Sequence, residues 1–144
     1  MRLLMTAIML LGLAATAGAE AMDEVNFWRG RNRLPAFRED VKLTAFAQMK
    51  AEYRAQRRLQ NGHQGPRWPQ GCTEGTGEAT ASWGWLTCVM EADAAEAGAG
   101  VAIGGDGQRY MVLVVRGPGR SLIPPERVRP LSTAHLTPNP PRFR

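Results

Sequence analysis

The clearest periodic segment of the chain runs from Asp40 to Leu59 and predicts an amphipathic helix. Apolar residues recur there at helical spacing, and basic residues fill the positions between them. Asp40 stands at the expected N-cap, because its carboxylate accepts hydrogen bonds from the first free backbone N–H groups. The predicted core stripe is Leu43, Phe46, Ala47, Met49 and Tyr53, and the predicted solvent-facing residues are Lys50, Arg54, Arg57 and Arg58.

A shorter helix is predicted ahead of this one, from Asp23 to Leu34. Val25 and Trp28 share one face of it, at a spacing of three residues. Acidic residues at its start and arginines at its end suit the helix dipole. Pro35 prevents the helix from continuing.

The second half of the chain changes from helical to extended patterns. Glycines and prolines between Asn61 and Thr80 predict a loop region. The segments Gly100–Ile103 and Tyr110–Arg116 flank a glycine-rich turn and predict a β-hairpin. The continuous apolar run Met111–Val115 predicts a strand buried on both faces. Helices followed by a hairpin indicate an α+β domain.

The two ends of the chain differ in composition from the domain between them. Residues 1–21 combine a basic start, an apolar run and small residues, which is typical of an export signal cleaved after Ala19 or Ala21. An uncleaved anchor is the alternative, but it normally needs about 20 apolar residues. We expect a secreted or periplasmic protein with no transmembrane segment after cleavage. Residues 118–144 hold seven of the ten prolines and form a basic tail, so the domain spans 22–117.

Composition and charge narrow the class of protein. The 144 residues are 44% apolar with a net charge of +5, which suits one small globular domain and not a disordered chain. Ten basic residues between Arg29 and Arg67 oppose three acids. Such a segment suits anionic lipid, cell-wall polymer or polysaccharide, and a merely solvated helix face is the alternative. No nucleic-acid motif is present, so nucleic acid is not an expected partner. Oligomeric state does not follow from the sequence.

Export changes how the two cysteines are interpreted. An oxidising compartment favours a disulfide between Cys72 and Cys88, which would close a loop of about 15 residues and contribute about 3 kcal/mol. A zinc site with His63 and His135 is the alternative, but no close pair of ligands supports it. We therefore predict a disulfide, no metal and no cofactor.

Five short motifs occur in an order that resembles the CAP superfamily, which includes cysteine-rich secretory proteins, antigen 5 and plant pathogenesis-related proteins. Exported bacterial members are the most similar. The motifs lie between residues 22 and 116: Asn26 and Arg29 with Leu34-Pro35, the helix residues 40–48, His63-Gln64-Gly65, Gly77-Glu78-Ala79 and the strand residues 98–102.

The resemblance implies a shortened CAP-like α-β-α sandwich with N-terminal helices and a C-terminal β-hairpin. In that family two histidines and two acids line a cleft, which in some members binds a divalent metal. His63 and Glu78 match the first histidine and one acid, whereas Trp85 stands at the second histidine. Arg33 replaces a glycine, so we expect Asn32 to adopt the left-handed conformation at the helix end.

Four residues are therefore candidates for ligand binding: His63, Glu78, Trp83 and Trp85. Together with Trp68, these two tryptophans would form an aromatic platform for sugar or lipid, with packing over the cysteine loop as the alternative. We predict a secreted, non-catalytic binding or structural module with a degenerate cleft, acting on lipid, cell-wall polymer or a protein partner. The alternative is an exported hydrolase that uses His63 and Glu78 as an acid/base pair.

Overall fold

The computed structural model describes residue 18 and residues 20–60, 63–80 and 84–117. The predicted signal up to residue 17, the tail 118–144 and the candidate ligand residue Trp83 lie outside the described residues. The elements are α1 (residues 18 and 20–31), β1 (Arg38–Glu39), α2 (Val41–Arg57), β2 (Cys72–Thr80), β3 (Glu96–Ile103) and β4 (Gln108–Arg116). Across the part of the chain so described, no helix combines the length and the apolar character needed to cross a bilayer.

The four strands form one mixed sheet in the order β1-β3-β4-β2. Strand β4 pairs antiparallel with both β2 and β3, and β1 runs parallel to β3. The β3–β4 pair is the predicted hairpin, and two helices with this mixed sheet confirm the α+β class.

The loop predicted over Asn61–Thr80 is wrong for its second half, where β2 forms. Strand β2 pairs with β4 along its whole length, from Cys72 opposite Arg116 to Thr80 opposite Gln108. Its glycines disfavour an isolated strand, but the long partner strand supplies the hydrogen bonds that hold it extended.

Helix α2 packs against one face of the sheet. It begins after Asp40, whose side chain accepts hydrogen bonds from the first turn, as predicted. Leu43 and Ala47 pack against Val112 and Val114 of β4. Even-numbered residues of β2 and β4 therefore face α2, because side chains alternate along a strand.

The opposite face carries the larger apolar cluster. Trp28 of α1 and Trp85 and Met90 of the segment 84–92 pack there against odd-numbered residues of β4. Residues Met111–Val115 are all 0% exposed, which confirms the prediction of a strand buried on both faces.

Two glycines of β3 allow α2 to lie very close to the sheet. A Cβ atom at Gly98 would lie 2.1 Å from the backbone of Leu43, and one at Gly100 would lie 2.3 Å from the backbone nitrogen of Gln48. Both distances are far below van der Waals contact, so any larger residue at either position would push the helix away.

Helix α2 is rotated about its axis relative to the prediction. Leu43 is buried as expected, but Met49 is 43% exposed, whereas Lys50 and Arg54 are both 0% exposed. The prediction that Lys50 and Arg54 face solvent is therefore wrong. Periodicity places charged residues outward by default, and here the sheet supplies carboxylates on the inward side.

Helix α1 already includes residue 18 and ends at residue 31, so it starts and ends earlier than predicted. The left-handed residue after it is Arg33, with φ of 59°, and not Asn32 as expected. The side chain of Asn32 instead donates to the carbonyl of Trp28 at 2.9 Å, inside the last turn. Arg33 thus adopts the conformation that glycine would take with less strain.

Two polar side chains of α1 hold the following segment in place. The Asn26 amide donates to the Phe37 carbonyl at 3.0 Å and accepts from the Phe37 N–H at 2.8 Å. The buried guanidinium of Arg29 lies over the Phe37 ring and donates to the carbonyls of Met90 and Ala92 at 2.9 and 3.0 Å. Burial lowers the pKa of Arg29 to about 10, so it remains charged at neutral pH.

The predicted disulfide between Cys72 and Cys88 is not formed, and both residues are free thiols. Cys72 begins β2 and belongs to the cluster beneath α2. Cys88 is exposed on the segment that covers the other face, with its sulfur 3.9 Å from the Glu74 carbonyl oxygen. The two side chains lie on opposite sides of the sheet, which keeps their sulfurs apart.

Candidate functional site

A cluster of opposite charges lies between α2 and β2. Glu74 and Glu78 are both even-numbered residues of β2, so their side chains point to the α2 face. Lys50 and Arg54 lie one helical turn apart on the inward side of α2. Each base meets one acid, which gives two ion pairs, Lys50–Glu74 and Arg54–Glu78.

The Lys50–Glu74 pair is removed from water. The Nζ atom of Lys50 lies 2.6 Å from Oε1 of Glu74, and both side chains are 0% exposed. The ring of Trp68 is the next neighbour, with its centroid 5.6 Å from the same Nζ atom. The geometry makes this pair a closed internal contact.

His63 connects the buried pair to the surface. Its Nδ1 atom lies 3.2 Å from the second carboxylate oxygen of Glu74, and its side chain is 43% exposed. The ring of Trp68 packs against the imidazole edge to face, with centroids 5.6 Å apart. The loop passes close beside α2 at Gly65. A side chain at this position would be strained by the φ of 102° and would crowd the Tyr53 ring, so glycine allows the close approach.

The second ion pair lies toward the far end of α2. The guanidinium of Arg54 pairs with Glu78 and also donates to the carbonyl of Leu59 at 3.0 Å. Its Nε and Nη1 atoms have no hydrogen-bond partner among the described residues. Burial lowers the pKa of Arg54, and the charge of Glu74 partly opposes this effect.

Tyr110 closes this end of the cluster. Its ring centroid lies 5.9 Å from the guanidinium carbon of Arg54, and its hydroxyl donates to Asp106 at 2.7 Å. Burial, together with this hydrogen bond, raises the pKa of Tyr110. The hydroxyl therefore stays protonated and serves as a structural donor at neutral pH.

The sequence-predicted candidates fall in different places. His63 contacts Glu74 and not Glu78, which pairs with Arg54. Trp85 is 0% exposed and packs on the opposite face of the sheet, so it neither lines nor fills the space beside His63. Trp85 therefore fits the packing alternative.

The donor set does not fit the divalent metal that the family resemblance implies. Within residues 20–60, 63–80 and 84–117, no group of three histidine, cysteine or acidic side chains converges on one point. Glu74, beside His63, already contacts the buried Lys50 ammonium, and Glu78 pairs with Arg54. A metal ion would have to displace the Lys50 ammonium, so we derive no chemistry through a metal.

The surface above the cluster is basic and aromatic. The sequence contains no aspartate or glutamate between Tyr53 and Thr73. Arg57 is exposed and stacks over the Tyr53 ring, with its guanidinium carbon 3.9 Å from the centroid. Arg67 is exposed, and the adjacent Trp68 is 38% exposed. We call the surface formed by Tyr53, Arg57, His63, Arg67 and Trp68 the basic-aromatic surface.

Sequence reasoning placed His63 at a site but missed the buried cations. Nothing in the sequence linked Glu74 to Lys50. A partial signal is present, since Lys50 and Arg54 share one side of a helix and Glu74 and Glu78 share one face of an extended segment. The acid-free stretch after α2 is a second signal.

A scan against models of protein families finds no match for this chain, and a search of curated proteins finds none either. The interpretation of the site therefore rests on its geometry and chemistry.

Proposed function

We propose that this chain is an exported, shortened CAP-like domain that binds an anionic polymer of the cell envelope and does not act as an enzyme. The binding site is the basic-aromatic surface. The observation that carries the proposal is that Glu74, beside His63, and Glu78, further along β2, are each neutralised by a buried cation, whereas the surface above presents cations and aromatic rings to solvent.

The CAP-like part of the proposal is supported by the roles of the motif residues. Asn26 and Arg29 match the start of the family signature, and both make buried or half-buried contacts that fix the chain after α1. The two helices lie on opposite faces of the sheet. If the chain shares the CAP fold, the residues of the motifs should have structural roles of this kind.

The hydrolase alternative has less support. A general acid/base pair needs its two groups within hydrogen-bond reach. His63 is held by Glu74, and Glu78 lies four residues further along β2, or about 13 Å at the usual strand rise. The proposed acid/base pair of His63 and Glu78 would have to break two existing contacts to form.

The chemistry of the surface suits a sulfated, phosphorylated or uronic-acid polymer. Guanidinium groups pair with such anions in a planar, two-point geometry. Exposed aromatic faces such as that of Trp68 pack against the apolar faces of sugar rings. The same arginines would attract an anionic membrane, so the test includes vesicles.

The test is binding of fluorescently labelled dextran sulfate, with neutral dextran as the matched control polymer. We expect binding to dextran sulfate only, weakening as salt rises. Changing Arg57 and Arg67 together to Gln should weaken it by roughly tenfold, because each surface contact contributes up to about 1 kcal/mol. Arg31→Gln, at an exposed arginine of α1, is the control and should have no effect.

Four results would contradict the proposal. Equal binding to neutral dextran would show that charge is not recognised. Equal loss in the Arg31→Gln control would show only an effect of net charge. Binding to vesicles containing phosphatidylglycerol, without binding to dextran sulfate, would replace the polymer with a membrane. A hydrolytic activity lost in His63→Ala, with the fold intact, would support the hydrolase alternative instead.

Export of the chain is part of the same proposal. Ala21 and Met22 are 0% and 2% exposed in the cluster beneath the sheet, so cleavage after Ala21 would remove a core residue. Cleavage after Ala19 would keep both. We therefore expect the mature chain to begin at Glu20. Intact-mass spectrometry of protein recovered from outside the cytoplasm would identify this N-terminus, and an uncleaved chain found in the cytoplasm would contradict the expectation.

A further inference from the structure

Beyond the two residues of β1, no strand among the described residues covers the outer edge of β3. The antiparallel ladder with β4 continues to Ile103, and the hydrogen bond from Gly104 N–H to the Gln108 carbonyl fixes its alternation. The N–H and C=O groups of Val101 and Ile103 therefore point away from β4, toward the open edge. Such groups are a template for pairing with another strand.

A side chain of α2 occupies part of this edge. The amide of Gln48 donates from Nε2 to the Val101 carbonyl at 3.1 Å and accepts from the Val101 N–H at Oε1, also at 3.1 Å. A neighbouring strand would make the same pair of hydrogen bonds. Glu52 accepts a further hydrogen bond from Nε2 at 2.8 Å, which fixes which end of the amide faces each group.

The contact is built into the packing of the helix. Gln48 is only 6% exposed, and Gly100 lets its backbone lie directly against β3. A long amide is the one neutral side chain type that supplies both a donor and an acceptor at this reach. Asparagine would be too short from the same helix position.

We infer that Gln48 is an edge plug, a side chain that closes the β3 edge against strand pairing with a second copy of this chain. The plugged position is Val101, and the backbone groups of Ile103 follow it along the same edge. Ile103 is 56% exposed, and a shallow groove of about 250 Å³ lies between α2 and the end of β3, next to it.

A second copy is the partner that this edge fits. Two identical edges related by a two-fold axis pair antiparallel, so each presents to the other the groups that it needs. The groove between α2 and the end of β3 offers space for side chains of the second strand. The intact protein therefore keeps one sheet per chain, and removal of the amide joins two sheets.

The experiment compares Gln48→Ala with Lys42→Ala, a control at an exposed position of the same helix that does not line the groove. Sedimentation velocity of the full chain should show a concentration-dependent dimer for Gln48→Ala and none for the control or the parent. Hydrogen exchange adds a second readout, because the Val101 amide should lose its protection in dilute Gln48→Ala. Adding Ile103→Lys to Gln48→Ala should restore the monomer, since a charge on an edge strand blocks pairing.

Either of two outcomes would overturn the inference. One is a folded Gln48→Ala protein that stays monomeric at all concentrations at which Lys42→Ala does. The other is unchanged exchange at Val101, which would show that the amide does not close the edge. If Gln48→Ala fails to fold, Gln48→Met keeps the volume and the helix while removing both hydrogen bonds, and the same two readouts decide.

Discussion

The buried pair between Lys50 and Glu74 gives the most demanding test of the site. Glu74→Gln keeps the size of the side chain but removes its charge. At 2.6 Å, with neither side chain exposed, the attraction at an effective dielectric of 20 is about 6 kcal/mol. Desolvation costs several kcal/mol per ion and offsets most of it. The intact pair therefore contributes little net stability, whereas the loss of one partner leaves the other charge buried, at a cost of about 3–5 kcal/mol.

Urea unfolding followed by far-UV circular dichroism measures this cost. With a slope of about 1–3 kcal/mol per M, Glu74→Gln should move the midpoint down by about 1 M or more. Arg38→Met is the control, since it removes a surface pair with Glu96 in which the Arg38 side chain is 75% exposed. That change should cost less than about 1 kcal/mol.

The double variant Lys50→Met with Glu74→Gln tests the reasoning directly. Because it removes both charges, it should be more stable than Glu74→Gln alone. Two results would refute the argument: a cost for Glu74→Gln as small as that of Arg38→Met, or a cost for the double variant equal to the sum of the two single costs. Either would mean that Lys50 and Glu74 do not act as a desolvated unit.

Other parts of the molecule make equally definite predictions. In thermal unfolding, Gly100→Ala should destabilise the domain by about 1–3 kcal/mol, because the added Cβ atom would clash with α2. Gly105→Ala is the control: its Cβ atom would meet only a side chain 3.7 Å away, so stability should change by less than about 0.5 kcal/mol. Arg29→Met leaves two buried carbonyls without their donor, so we expect the free energy of unfolding, measured in urea, to fall by at least about 2 kcal/mol. An unchanged free energy of unfolding would contradict the role of Arg29 in fixing the segment that contains Met90 and Ala92. Hydrogen bonds to the Asp40 carboxylate, first of all from the backbone N–H of Leu43, lower the pKa of Asp40. The stabilisation from this carboxylate is therefore fully present above the unfolded-state pKa, and it is lost as the pH falls through the lower folded-state pKa. Asp40→Asn should therefore flatten the acid side of a stability–pH curve, and an unchanged curve would count against this assignment.

Elements stabilised by neighbours in sequence could be predicted before the structure was known. The start of helix α2 directly after Asp40 could be predicted, because the N-cap and the first turn that it caps are neighbours in sequence. The β3–β4 hairpin forms around its glycine-rich turn for the same reason. Strand β2 could not be predicted, since its glycines are typical of a loop and its stability comes from β4, about 40 residues away in the chain.

The candidate site shows the same division. His63 could be singled out from its motif, and the excess of basic residues between Arg29 and Arg67 could be seen in the charge distribution. Its partner could not be found, because contact with Glu74 and not Glu78 depends on where the loop crosses β2. The disulfide was predicted from spacing and compartment, but alternation along β2 and the path of the segment 84–92 separate the two cysteines.

Periodicity, capping residues and turn glycines are local properties, so the chain's own pattern determined the α+β class, helix α2 and the hairpin. The tertiary structure decided which side of α2 faces the sheet. A lysine and an arginine on a helix belong in water unless a carboxylate meets each of them, and that depends on the register of β2 against β4. Burial of Lys50 and Arg54 is therefore a consequence of long-range pairing, and the cations of the basic-aromatic surface come from Arg57 and Arg67 instead.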